Sequence, residues 1–120
     1  MAEPLAPPED RGTTTIADRV VERIASMAAG EVEKVADTRQ GLTRLLRGKL
    51  PSASAVVAGD TSRITVEVAA AWPTPLPTLA AHVRERVAEQ VVDLTGITVV
   101  AVDVTVADVV HVETARRRVQ

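Results

Sequence analysis

The chain has no cysteine, no phenylalanine and no tyrosine, and a single tryptophan among its 120 residues. Without cysteine there is no disulfide, no thiolate metal site and no thiol nucleophile. Without aromatics the platforms on which single-stranded bases stack are missing, which counts against the usual modes of single-strand RNA or DNA binding. Histidine is nearly absent as well: His82 falls on the charged side of a helical pattern, and His111 lies past the last strand-like run with Glu113 two residues on. A metal site needs more convergent ligands than these. Serine and threonine are plentiful, but no histidine or lysine is spaced to activate them, so a nucleophile has no support. Gly41 and Gly48 lack the strand and helix context of a phosphate-binding loop. No stretch reaches the roughly 18 uncharged apolar residues of a membrane span, because Asp103 and Asp108 interrupt the most apolar run. Residues 1–12 carry Glu3, Glu9 and Asp10 with prolines, not the basic and then apolar order of a secretory signal, which predicts a cytoplasmic protein.

What is present is aliphatic and periodic. Leu76, Leu79, Ala80, Val83, Val87, Val91 and Leu94 recur at three- and four-residue spacing, with His82, Glu85, Arg86, Glu89 and Asp93 opposite. That is an amphipathic helix with one face seeking a core. Before it, Ile64, Val66, Val68, Ala70 and Trp72 alternate with Thr65, Glu67, Ala69 and Ala71. After it, Val100, Val102, Val104 and Val106 alternate with Ala101, Asp103, Thr105 and Ala107. Strand, helix and strand form a βαβ unit whose strands run parallel. Upstream, Thr15 caps a first helix whose expected buried stripe is Ile16, Ala17, Val20, Val21, Ile24 and Ala28, ending at Gly30. Val32 and Val35 predict a short extended piece, and Ala55–Ala58 with the turn Gly59-Asp60-Thr61 predicts a hairpin into the long strand. Pro73, Pro75 and Pro77 stop that strand and start the second helix, and Gly96 closes it. The expected architecture is α+β, a two-layer sandwich with two helices on one face of a small mixed sheet of three or four strands. Its expected boundaries are a disordered leader at 1–12, a single domain at 13–110 and a flexible basic tail at 111–120.

The formal net charge is −2, but it is unevenly spread. Arg39, Arg44, Arg47 and Lys49 form one basic cluster and Arg116, Arg117 and Arg118 a second, on a body that is otherwise acidic. Each cluster is either a solvated segment or a docking surface for acidic lipid headgroups or an acidic partner. Trp72 is either a core residue at the open end of the sheet or an anchor for a partner. The outward strand face, Thr65, Glu67, Ala69 and Ala71 beside Ala101, Asp103, Thr105 and Ala107, is rich in alanine. Compositional bias and a subunit contact both account for it.

Particular residues resemble the alkaline shock protein family of small envelope stress proteins of Gram-positive bacteria. The resemblance runs from Thr15 to Val109 and is carried by Ile24-Ala25-Ser26-Met27-Ala28-Ala29 with Val32 and Val35, by Ile64-Thr65-Val66-Glu67-Val68, and by the helix Leu79 to Val92. Its most telling piece is Asp93-Leu94-Thr95-Gly96-Ile97 leading into Val102-Asp103-Val104-Thr105-Val106. The chain departs from the family at Trp72-Pro73-Thr74-Pro75, where an aromatic residue and then glycine are common. The resemblance implies a non-enzymatic cytoplasmic protein without a cofactor. It further implies self-association, gathering at the inner face of the membrane through a small integral-membrane anchor protein, and a part in envelope homeostasis. The alternative from another class is a small RNA- or DNA-binding domain using basic loops, against which stand the acidic body and the missing aromatics.

Overall fold

A computed structural model describes residues 15–36 and 50–111. The expected leader at 1–12 and the tail beyond His111 lie outside the described residues, as does most of the basic segment before Leu50. The elements are α1 (Ile16–Gly30), β1 (Val35–Ala36), β2 (Ser52–Ala58), β3 (Thr61–Ala71), α2 (Leu76–Thr95) and β4 (Thr98–Val110). β3 is the central strand. β2 pairs antiparallel with residues 61–67 of β3, and β1 pairs antiparallel with Ala69 and Ala70, so the two lie end to end along one edge of it. β4 runs parallel to β3 along the other edge, as the βαβ pattern predicts. The two helices pack on each other and against the sheet, α1 over β2 and α2 over β4.

Alternation in β3 decides which face is buried. Ser62, Ile64, Val66, Val68 and Ala70 are buried, while Arg63, Thr65 and Glu67 are exposed. In the parallel register Val102, Val104 and Val106 stand beside Ile64, Val66 and Val68 and extend the same apolar row. β4 carries one extra residue at Val100 and another at Ala107, since Ser62 pairs with Val99 and Arg63 with Ala101, and Val68 pairs with Val106 and Ala69 with Asp108. Each bulge shifts the phase of the side chains. After the second, Val110 falls beside Ala71 and joins a small cluster of Ala36, Leu50 and Ala69 on the far face of the sheet. Part of the alanine-rich outward face is therefore not exposed: Ala69 is fully buried by the chain itself.

The first helix is turned relative to expectation. Its buried residues are Val21, Ala25, Ala28 and Ala29, whereas Ile16 is 82% and Val20 45% exposed. The stripe is rotated by about a quarter turn, because the small alanines let α1 sit close to the sheet and two of its carboxylates engage β2. The cap at Thr15 forms as predicted, its hydroxyl accepting from the Asp18 N–H at 3.0 Å and its own N–H donating to Asp18 Oδ2 at 3.3 Å.

In α2 the buried stripe is Leu79, Val83, Val87 and Val91. Leu76 and Leu94, its expected ends, lie in the terminal turns and are 38% and 65% exposed. The helix ends in a compact lock. Thr95 Oγ1 donates to the Val91 carbonyl at 2.6 Å and accepts from the Ile97 N–H at 3.0 Å, and Gly96, with φ of 75°, donates to the Val92 carbonyl at 2.9 Å. The Thr98 N–H then donates to the Asp60 carbonyl at 2.8 Å, returning the chain to the start of β3. Urea unfolding followed by the fluorescence of Trp72 tests this packing. Leu79→Ala is expected to cost about 2–5 kcal/mol, Gly96→Ala about 1 kcal/mol because its left-handed backbone disfavours a Cβ, and Leu94→Ala less than about 1 kcal/mol.

Candidate interaction surfaces

The two long edges of the sheet are treated differently. Along the β2 edge the Val57 N–H donates to Asp18 Oδ1 at 2.9 Å and the Ala55 N–H to Glu22 Oε2 at 3.1 Å. The spacing is commensurate: four residues of helix rise about 6 Å, close to the roughly 6.7 Å between outward-facing amides two residues apart on a strand. One carboxylate pair on α1 thus satisfies two amides that would otherwise template another strand. Asp18 serves both this edge and the cap, one oxygen to each. The cap was legible from the sequence, whereas the edge contacts of Asp18 and Glu22 were not. Their only signal was two acids at four-residue spacing beside the alanine face of α1.

Among the described residues nothing equivalent occurs on the β4 edge: there β4 pairs only with β3, and no side chain reaches the backbone of residues 99–107. Val100, at the first bulge, is 54% exposed.

On the helical layer Arg86 of α2 ties the two helices together, its Nη2 and Nε donating to Glu31 Oε1 at 2.6 and 3.1 Å, with Glu89 at 3.6 Å. The hydrogen bond to Glu31, ahead of the opposing partial desolvation, raises the Arg86 guanidinium above its ordinary value. Ile16, Val20 and Met27 form an exposed apolar row on α1. Two open hollows flank β2. One of about 210 Å³ is lined by Ser52, Ala53, Ser54, Thr65 and Glu67. The other, about 410 Å³, includes Arg19, Glu22, Arg23 and Ser26. Among the described residues no three His, Asp or Glu side chains converge as metal ligands, and no described helix is long and apolar enough to cross a membrane.

Of the residues singled out from the sequence, Arg39, Arg44, Arg47, Lys49, Arg116, Arg117 and Arg118 lie outside the described residues, and Trp72 lies within them. Trp72 is not a core residue: it is 48% exposed, with its ring 5.7 Å from that of His111. It sits just past the end of β3, where proline turns the chain away from the sheet. The described residues do place the roots of both basic segments together. Ala36 and Leu50, which flank residues 37–49, pack with Ala69 in the same cluster as Val110, which leads to residues 112–120. The Trp72 N–H donates to the Val110 carbonyl at 2.7 Å. Both basic segments therefore leave the domain from one end, beside the exposed tryptophan.

The edge capping on β2 is testable by thermal unfolding and light scattering. Glu22→Ala leaves the Ala55 amide without its acceptor and is expected to cost about 1–2 kcal/mol and to promote aggregation through the bared strand. Glu22→Gln keeps an acceptor and is expected to lose less on both measures.

A family model described as alkaline shock protein 23 family, cell envelope-related function, matches residues 6–111. Among solved structures the chain resembles the MamM CTD. A zinc form is 13% identical over 75% of this chain and 84% of that one, with a TM-score of 0.48. A manganese form is 16% identical over 75% and 96%, with a TM-score of 0.47. Likeness at this level carries no functional argument.

Proposed function

The chain belongs to the alkaline shock protein 23 family, whose function is related to the cell envelope, and from that premise we propose that it is a non-catalytic scaffold or adaptor in envelope stress response and homeostasis. In this reading it works from the cytoplasm, self-associates, and is recruited to the inner face of the membrane by a small integral-membrane partner. It uses no cofactor.

The observation that carries the reading is the shared origin of the two basic segments beside Trp72. Arg39, Arg44, Arg47 and Lys49 lie between Ala36 and Leu50, and Arg116, Arg117 and Arg118 follow Val110, so seven cations are tethered to one end of an acidic body. Near an anionic leaflet each contributes on the order of 1 kcal/mol at low salt. A half-exposed indole at the same end suits a boundary that is apolar on one side and wet on the other.

Sedimentation with vesicles tests the surface contact. Binding is expected to anionic phosphatidylglycerol vesicles, absent with phosphatidylcholine alone, weakened steeply by added salt, and accompanied by a blue shift of Trp72 emission. Binding that ignores ionic strength, or a preference for oligonucleotides over vesicles in a parallel gel shift, contradicts it. Self-association is read separately by sedimentation velocity, where a monomer at every accessible concentration removes that part of the proposal. Affinity capture from native cells addresses recruitment, and the expected retained species is an integral-membrane protein.

A further inference from the structure

We propose that the outer edge of β4 between its two bulges, roofed by one flank of α2, is a docking site for an extended segment of another protein that is apolar on one face and carries a basic residue opposite Asp103. The asymmetry of the sheet is the starting point. Carboxylates of α1 occupy the outward amides of β2, while the backbone of residues 99–107 in β4 meets no described side chain on its outer side. The strand Thr98–Val110 contains no lysine, arginine or proline, and its two bulges lie at the ends of the stretch and not within it. The bulges at Val100 and Ala107 leave a regular stretch at 101–106, which sets the length of what pairs there.

The two faces of that stretch specify the occupant. On the helical side Val102, Val104 and Val106 continue the core row, and Val104 and Val106 are only partly buried. Above them stands the flank of α2 turned away from α1. Arg86 on the near flank holds Glu31, and Ala88 and Val92 project about 160° and about 120° around the helix from it. Val92 is 45% exposed. An incoming strand would place its apolar residues under this roof. On the opposite side of the sheet the stretch carries Ala101, Asp103 and Thr105 beside Arg63, Thr65 and Glu67 of β3, so Asp103 is its one acid and Arg63 stands diagonal to it. Arg84, on the roof flank, lies across the sheet from that row. A visitor residue that is basic opposite Asp103 pairs with that acid.

A second copy of the chain fits less well. Antiparallel self-pairing that keeps faces matched near the middle of the stretch sets Asp103 either directly opposite its own copy or diagonal to it, and like charges there repel. The site refines the protein-binding reading above and rests on that reading, but not on membrane contact.

The test uses the full chain, labelled with ¹⁵N, and a synthetic octapeptide of alternating lysine and valine. Amide shifts confined to β4 and the Ala88–Val92 flank are expected, and affinity is expected to fall about tenfold, the size of one lost charge-assisted contact, with the exposed-site variant Asp103→Lys. Asp103→Asn should fall less. A peptide N-methylated at alternate residues, which keeps charge but cannot pair, should not bind. Equal binding of the methylated peptide, shifts located elsewhere, or no binding at millimolar peptide overturns the proposal. So does protection of β4 amides by dimerisation of the chain alone. Vesicle binding can persist when the peptide fails, and the peptide can bind when vesicles fail, so the two results separate this site from the surface contact.

Discussion

A sheet only three strands wide has two edges, and the backbone groups on them must find partners or face solvent. In this domain one edge is closed by two carboxylates of α1. The bonds from Ala55 to Glu22 and from Val57 to Asp18 fix the rotation of α1, and that rotation selects Val21, Ala25, Ala28 and Ala29 for the core. It also leaves Ile16, Val20 and Met27 on the outside. Alanine on the buried face is what allows the approach, because a larger side chain would lift the helix beyond the reach of a carboxylate. The aliphatic core and the polar edge are two consequences of one placement.

Much of this architecture was legible in the sequence because it depends on period. The two-residue alternation of β3 and β4 and the three- and four-residue recurrence of Leu79, Val83, Val87 and Val91 each report a single element. The Thr95-Gly96 helix end reports a local hydrogen-bond pattern. What the sequence concealed depends on pairs of elements. The rotation of α1 follows from bonds to β2 across more than thirty residues of chain. The second bulge in β4 moves Val110 to the far face, where it meets Leu50 and Ala69, and no periodicity in β4 alone foretells its partner. Trp72 was open to two readings from its size, and its exposure is settled by the proline that turns the chain just after it.

The surfaces divide by location. One end of the domain gathers Trp72, His111 and the roots of the basic segments. The side beyond β4 offers backbone, the apolar flank of α2 and Asp103. In the adaptor reading proposed above these two differ in chemistry: charge and an exposed indole at the end, strand pairing at the side. The family's function is related to the cell envelope.

The unequal treatment of the two edges is tested most directly by residue-resolved amide hydrogen exchange on the isolated chain. The account predicts that the Ala55 and Val57 amides are protected nearly as well as those of β3, while the outward-facing amides within residues 101–106 exchange orders of magnitude faster. Equal exchange on the outward amides of β2 and β4 would contradict it.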